Sequence, residues 1–329
     1  MIGTNIWVAF LTAVTHILVC TSVVQSQVPT REKIIVRSSL DGTEQPNYLS
    51  IPEEMTKRMP GVPEPPVLTP LVVSLHSWSA DLEQRQPELE ILIHDCHWVC
   101  LQPNFRGIND HPEALASAVA QQDILDAVDW VLANYPIDSK RVYLTGNSGG
   151  GHMTMMMAAR FPQRWRAASA WVGISDLKKW HDKHQETNYG VMLRKCCGGK
   201  PSESAAVDEQ YRLRSPLTFI EGAKSVPLDL AAGIHDGHKG SVPIDQSLTA
   251  FNVIAAANGD AQISATEREQ LARPDGRLAK PLPSDVGFDS TFDRKFYLRR
   301  ISRDCRVTIF EGGHEGIATA AIAWFEAHP

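Results

Sequence analysis

Apolar and polar positions follow two patterns along the chain, and together they predict buried strands that alternate with helices. Short continuous apolar runs, such as residues 71–75, are typical of strands covered on both faces. Residues 117–134 instead place their apolar side chains near helical spacing. The predicted strands are 71–75, 98–102, 142–145, 167–174, 226–233 and 306–310, and the predicted helices include 117–134, 243–257 and 316–327. A chain of this length can form one large α/β domain.

Two stretches depart from this alternation. Residues 32–39 and 47–51 predict two edge strands joined by a turn, and a proline-rich connector over 60–66 follows them with few N–H groups for a sheet. Residues 258–300 contain a short polar helix over 265–271 and then a stretch rich in Pro, Gly and Asp. We interpret 258–300 as an insertion before the last strand.

The first 26 residues have the composition of a targeting segment. Residues 6–24 are almost wholly apolar, and the first arginine is Arg31. Small residues at 24–26 suit a signal-peptide cleavage site that would leave Gln27 as the new N-terminus. Because the usual basic region is missing, an uncleaved membrane anchor stays open as the alternative. Both alternatives predict export, so the mature protein, 27–329, is expected to be secreted or periplasmic.

Overall composition narrows the classes of partner. The net charge is −6 and no stripe of Lys and Arg is visible, so we expect no nucleic-acid partner. Contact with a membrane is expected only if the N-terminal segment is uncleaved. The mature chain keeps an odd number of cysteines, which implies at least one free thiol and leaves open the pairing among Cys96, Cys100, Cys196, Cys197 and Cys305. No Cys-x-x-Cys pattern exists, and no metal site is expected.

A candidate nucleophile lies between a predicted strand and a predicted helix. Residues 146–150 read Gly-Asn-Ser-Gly-Gly, which fits the Gly-x-Ser-x-Gly pattern of a nucleophile elbow. The flanking glycines lack Cβ atoms and allow the strand and helix to pass closely, while Ser148 takes a strained conformation that exposes its hydroxyl. A phosphate-binding loop is disfavoured because no Lys-Ser/Thr pair follows the glycines.

Further motifs in a fixed order accompany this elbow. They are Asn-Phe-Arg-Gly at 104–107, Gln-Asp-Ile-Leu-Asp at 122–126, Ser-Pro at 215–216, Val-Pro at 242–243 and Gly-Gly-His at 312–314. Over roughly 65–329 the chain resembles the catalytic domain of the prolyl oligopeptidase (S9-type) group of α/β-hydrolases. The resemblance implies a mostly parallel central sheet with helices on both faces. It also implies a helical cap over the active site, for which 176–213 is the candidate.

The resemblance implies a catalytic triad in the chain order Ser, acid, His. Ser148 is the expected nucleophile and His314, after the last strand, the expected base. The family's usual position for the acid holds Lys239, so we assign the acid to Asp236, in the loop after strand 226–233. Asp245, in the first turn of a helix, is the alternative, and a carboxylate there also suits the helix dipole.

Other site residues follow from the same resemblance. The oxyanion hole is expected to use the backbone amides of Gly149 and Trp78, with Ser77 as the alternative to Trp78. Arg106, at a strand end, is a candidate for binding a substrate carbonyl or carboxylate, although such arginines also tie loops together. Trp180 in the cap is a candidate substrate contact.

These residues predict a secreted serine hydrolase of S9 peptidase type, which cleaves peptide, amide or ester bonds of a small-molecule or peptide substrate through an acyl-enzyme. No cofactor is implied. Full S9 oligopeptidases carry a propeller that selects peptides, and about 40 residues precede the hydrolase region here. A carboxylesterase acting on acylated sugars or other esters is therefore the alternative. A non-catalytic binding protein with the same fold is a minor one.

Overall fold

The computed structural model describes residues 27–56 and 67–329. The predicted signal segment, 1–26, and the predicted connector, 60–66, lie outside these residues. Within the described ranges, no helix is long and apolar enough to cross a membrane.

The described residues form a ten-stranded sheet whose centre is parallel. Its strand order is β1-β2-β4-β3-β5-β6-β7-β10-β9-β8. In this order, each neighbouring pair of strands from β4 to β10 is parallel. The pairs β1–β2 and β2–β4 at one edge, and β10–β9 and β9–β8 at the other, are antiparallel. In chain order the strands are β1 Glu32–Arg37, β2 Glu44–Ser50, β3 Thr69–Leu75, β4 Val99–Pro103, β5 Ile137–Asn147, β6 Ala167–Trp171, β7 Leu228–Gly233, β8 Gly287–Asp289, β9 Arg294–Ser302 and β10 Cys305–Phe310.

Helices cover both faces of the sheet, as predicted. Alternate side chains of β3 enter different clusters: Leu71 and Val73 pack with the helices of one face, and Val72 packs with those of the other. One face holds α3, α4 and α8, and the other holds α2 and α10. The helices are α1 Glu53–Thr56, α2 Pro87–Asp95, α3 Ala118–Asn134, α4 Gly149–Arg160, α5 Leu177–His184, α6 Asn188–Cys197, α7 Ala205–Arg214, α8 Asp245–Asn258, α9 Ala265–Leu271 and α10 Ala318–Glu326.

Helices α5, α6 and α7 form a cap with a core of its own. Asp176 and Ser204 start α5 and α7 by accepting a hydrogen bond from a backbone N–H of the first turn. Gly198 ends α6 in the left-handed conformation that glycine adopts readily. The core, here called the cap cluster, comprises Trp78, Leu115, Ile174, Leu177, Trp180, Met192, Leu193, Cys196, Cys197, Val207, Tyr211 and Val242.

The region interpreted as an insertion, 258–300, extends the main sheet. A capping box between Ser264 and Glu267 starts the predicted polar helix, α9. The long strand β9 was not predicted, and it pairs antiparallel with β10. Each arginine of β9 forms an ion pair, such as Arg300 with the fully buried Asp285, which lets a charged segment lie at the sheet edge.

The five described cysteines are all free thiols. Four of them are buried, and Cys96 is half-buried. Burial raises the pKa of Cys196 and Cys197 to about 12, so both remain protonated. They act here as small apolar side chains of the cap cluster.

Candidate active site

Ser148 lies in a strained turn between β5 and α4. Its φ of 58° and ψ of −113° fall in a region that non-glycine residues rarely adopt. Such a conformation costs about 1–3 kcal/mol and persists only where the surroundings impose it. The backbone N–H of Ser148 donates to the carbonyl of Trp171, at 2.9 Å, and so fixes the turn on the end of β6.

The glycines around Ser148 permit backbone contacts that no other residue could make. A Cβ on Gly149 would collide with the backbone of Trp78, and one on Gly150 with the carbonyl of Leu75. A Cβ on Gly146 would lie 2.6 Å from the carbonyl carbon of Gly150. The strand, the turn and the helix are therefore packed against each other without side chains between them.

The same contacts bring two backbone amides together. Gly149 begins α4, where first-turn N–H groups have no intrahelical acceptor. The amide of Trp78 lies directly beside it, and no acceptor for that amide is found among residues 27–56 and 67–329. The alternative donor, the amide of Ser77, already donates to Gln84 Oε1 at 2.7 Å. The geometry thus favours the amides of Gly149 and Trp78, rather than that of Ser77, as the donors of the predicted oxyanion hole.

Asp236 and His314 form a hydrogen-bonded pair. His314 Nδ1 lies 2.7 Å from Asp236 Oδ2, and the Asp236 side chain is fully buried. The other carboxylate oxygen accepts from the amides of Gly237 and Val242 at 2.8 and 3.0 Å. Three hydrogen bonds therefore compensate the burial of this charge.

Adjacent parallel strands explain why these two residues meet. Strands β7 and β10 pair with Gly233 opposite Phe310, so their loops start at the same level. His314 follows in the second loop, and two residues later Gly316 approaches the elbow so closely that a Cβ would collide with the Asn147 side chain. The histidine loop thus lies against the residue that precedes Ser148.

Asp245 lies at the start of α8, and its carboxylate is paired with two basic side chains. It forms ion pairs with Lys179 and with Arg268. Burial alone would raise the pKa of Asp245, but hydrogen bonds from Lys179 and Arg268 lower it below its usual value. The structure brings Asp236, and not Asp245, to His314.

Two candidate substrate contacts have structural roles in this structure. Arg106 pairs with Asp123 of α3 and with Asp41 of the β1–β2 turn, and only 8% of its side chain is exposed. It therefore ties loops together, and we correct its assignment to substrate binding. Trp180 is 1% exposed, because its ring packs at 4.6 Å from Trp78 and its Nε1 donates to the carbonyl of Ser241. We correct this assignment too, since the side chain anchors the cap.

Two other histidines near the elbow are internal. His152 on α4 bonds through Nδ1 to the carbonyl of Ile174, and burial lowers its pKa to about 4. His76 stacks on Phe105 at 3.9 Å, and burial lowers its pKa as well. Both are thus neutral at pH 7.

A set of residues that was not predicted from the sequence holds the histidine loop. Arg294 of β9 makes two hydrogen bonds to the Glu315 carboxylate, at 2.7 and 3.0 Å. His235, beside Asp236, bonds to Glu311 at 2.7 Å, and Tyr297 donates to the same carboxylate. The only signal in the sequence is the presence of a glutamate on each side of Gly-Gly-His.

No group of side chains suited to a metal ion is found in the described part of the chain.

A family model described as the prolyl oligopeptidase family matches residues 92–270, more than half of the chain. The chain belongs to the prolyl oligopeptidase family. The family predicted from the motifs is thereby confirmed. It is a family of serine hydrolases, which supports the predicted class of enzyme.

Shorter sequence matches connect the chain to esterases. Acetylxylan esterase A of Aspergillus ficuum is 42% identical over 52 residues, which cover 16% of this chain and 17% of that protein. Feruloyl esterase B of Neurospora crassa is 36% identical over 74 residues, covering 22% and 25%. The matches thus span at most a quarter of the length of these relatives.

Solved structures confirm the α/β-hydrolase fold. Acylaminoacyl peptidase of Pyrococcus horikoshii has a TM-score of 0.58 and 17% identity, with 91% of this chain and 41% of that chain covered. A puromycin-hydrolysing peptidase of Mycobacterium tuberculosis has a TM-score of 0.60 and 17% identity, with coverage of 92% and 39%. At this identity the likeness concerns the fold alone.

Proposed function

We propose that the protein is a serine hydrolase in which Ser148 is the nucleophile, His314 the general base and Asp236 the residue that orients His314. The observation that carries this proposal is the hydrogen bond between His314 and the buried Asp236, in a loop that lies against the strained elbow. A serine hydroxyl is a poor nucleophile at neutral pH and needs such a base.

The reaction follows from these positions. His314 removes the proton of Ser148, whose oxygen attacks the carbonyl carbon of the substrate. The amides of Trp78 and Gly149 stabilise the oxyanion, and each such donor is worth roughly 10²–10³ in rate. His314 then protonates the leaving group, and an acyl-enzyme remains on Ser148. Water, deprotonated by His314, releases the acyl group.

Carboxylic esters are our first candidate substrates, and peptides or amides are the second. Acetylxylan esterase and feruloyl esterase are named for the esters that they hydrolyse, and they share 36–42% identity with segments of this chain. The family name and the peptidase structures support the second candidate. Both candidates are consistent with a small molecule or a peptide as substrate. Rates of the purified protein measured in parallel on p-nitrophenyl acyl esters and on aminoacyl-p-nitroanilides would show whether esters or amides are preferred.

Labelling by a fluorophosphonate probe tests the catalytic proposal. The wild-type protein should react at Ser148, and Ser148→Ala should lose the label while its thermal unfolding remains that of a folded protein. A folded wild-type protein that is not labelled would overturn the proposal and favour the binding-protein alternative.

We also propose that the protein is secreted or periplasmic after removal of residues 1–26. The apolar, uncharged composition of that segment supports this. N-terminal sequencing of exported protein should begin at or near Gln27. Intact Met1 in the membrane fraction would indicate an anchor instead.

A further inference from the structure

One peptide group, here called the linking peptide, connects the cap to the proposed acid. Its carbonyl, that of Ser241, accepts hydrogen bonds from two side chains of α5, Trp180 Nε1 at 3.0 Å and His184 Nε2 at 2.7 Å. Its N–H, that of Val242, donates to Asp236 Oδ1 at 3.0 Å. A helix of the cap is therefore joined to the proposed acid through a single peptide plane.

A further contact from α5 reaches the other amide that holds the same carboxylate oxygen. Lys183 Nζ donates to the carbonyl of Gly237, whose own N–H donates to Asp236 Oδ1 at 2.8 Å. Lys183 is exposed, so water competes for its hydrogen bond and the contact is worth little. The chain segments on both sides of the acid loop are thus attached to α5, and the linking peptide is the stronger attachment.

Burial makes the two bonds at the linking peptide effective. Trp180 and His184 are 1% and 7% exposed, so there is little water to replace either donor. Hydrogen bonds that follow one another through a peptide group strengthen each other, because a donor at the carbonyl polarises the N–H. The two side chains therefore both place the N–H of Val242 and strengthen its bond to Asp236.

We propose that His184 and Trp180 are positioning residues, which act on Asp236 through the linking peptide. The inference rests on the proposed function, since it concerns the acid of the same triad. It gives the cap a second role: α5 fixes the carboxylate that in turn orients the proposed base. The rate then depends on the position of α5 through the acid loop, without any contact between this helix and the substrate.

His184 is the better residue to change, because Trp180 also packs against Trp78 of the oxyanion loop. His184→Leu removes one donor to the linking peptide. It should lower kcat on p-nitrophenyl acetate by about 2- to 10-fold, the value of one hydrogen bond, and leave KM within about 2-fold. His184→Gln should recover part of the loss, because its amide nitrogen can still donate to the carbonyl of Ser241.

His181→Leu is the matched control on the same helix. His181 is 4% exposed, but it contacts Arg194 and Tyr211 instead of the linking peptide. The variant should keep the kcat of the wild type even where its melting temperature falls as far as that of His184→Leu. Equal losses of kcat in the two variants would overturn the proposal.

A double-mutant cycle tests whether His184 acts through Asp236. His184→Leu should slow fluorophosphonate labelling by about 2- to 10-fold in the wild-type background, and by less than about 2-fold in the Asp236→Asn background. Labelling is followed because spontaneous hydrolysis of an ester does not contribute to it, and Ser148→Ala gives the blank. The same loss in both backgrounds would also overturn the proposal.

Trp180→Phe carries the cycle if His184→Leu fails to fold. It removes the Nε1 donor and keeps an aromatic ring against Trp78. Its loss of labelling rate should likewise disappear in the Asp236→Asn background, and a loss that persists there would overturn the proposal. Folded wild-type protein that does not take the label would instead overturn the proposed function.

Discussion

At the scale of single residues, Asp236 has the surroundings that an orienting carboxylate needs. One oxygen accepts from His314, and the other is held by the amides of Gly237 and Val242. In the proposed mechanism, this carboxylate selects the tautomer of His314 that carries its proton on Nδ1, which leaves Nε2 to act as the base.

Asp236→Asn should therefore lower kcat on a p-nitrophenyl ester by something on the order of 10⁴, because an amide can stabilise the wrong tautomer of His314. KM should change little, since Asp236 is buried and does not touch the substrate. Steady-state kinetics on the purified variant would measure both values.

Asp245→Asn is the matched control for that change. Its carboxylate pairs with the partly exposed Lys179 and Arg268, so losing it should cost about 1 kcal/mol of unfolding free energy and little rate. A variant Asp245→Asn with crippled kcat, beside a near-normal Asp236→Asn, would show that the acid is misassigned.

At the scale of elements, strand β9 holds the loop that carries the proposed base. Arg294 reaches from β9 to Glu315, next to His314, and also donates to the carbonyl of Glu311. Glu315 in turn accepts from the amide of Gly313 at 3.0 Å. The loop is thus fixed on both sides of His314 by one arginine from a neighbouring strand.

Arg294→Met should reduce kcat by roughly 10- to 100-fold through misplacement of His314, with a smaller effect on KM. Arg294→Lys should recover part of the loss, because it restores a charge but only one of the two parallel hydrogen bonds. Kinetics of the two variants on one ester would measure this.

Arg300→Met provides the control on the same strand. Arg300 also makes two ion pairs, with Asp285 and Glu267, but these lie away from the histidine loop. It should lower the melting temperature and keep kcat. If Arg294→Met lowers stability as Arg300→Met does and leaves kcat intact, then the role of Arg294 is structural only.

The elements show which features a sequence can reveal. Strands β3 to β7 and β10 were predicted because each centres on a short, mostly apolar run, and the elbow because its glycines are close together in the chain. Strand β9 was missed because its arginines are neutralised by partners far away in the chain, such as Asp285. The position of Asp236 relative to His314 likewise depends on the pairing of β7 with β10, which no local pattern encodes.

Single side chains were harder to predict for a related reason. Arg106 and Trp180 have residue types suited to binding, but their partners were unknown from the sequence. Asp123, Asp41 and the carbonyl of Ser241 occupy their polar groups. The choice between Ser77 and Trp78 similarly depends on Gln84, which takes the amide of Ser77.

At the scale of the whole molecule, the interior keeps several imidazoles neutral. Burial lowers the pKa of four histidines, and that of His152 falls to about 4. The other three are His76, His181 and His184. When the protein unfolds, each regains a more ordinary pKa and can bind a proton.

Stability should consequently fall as the pH is lowered from about 6.5 to about 4, the interval between the unfolded and folded pKa of His152. In this window the unfolded state binds more protons, so acid favours unfolding, and below it the loss is complete. For His152 alone the full loss is about 3 kcal/mol.

Urea unfolding at pH 7.5 and pH 4.5 would measure this loss in the wild type and in His152→Asn, whose amide can keep the hydrogen bond to Ile174. The variant should lose about 2–3 kcal/mol less between the two pH values than the wild type does. Equal losses would show that His152 does not contribute to the acid sensitivity.

The close packing of Gly149 and Gly150 against the backbone of Trp78 and Leu75 has a consequence for redesign of this enzyme. Random mutagenesis aimed at the elbow itself should return mostly inactive clones, because a side chain added at Gly149 or Gly150 must displace the backbone of residues 75–78. A library placed in the cap helices α5, α6 and α7 leaves that backbone untouched. Changed substrate preference should therefore be sought in the cap helices, with residues 146–150 held constant.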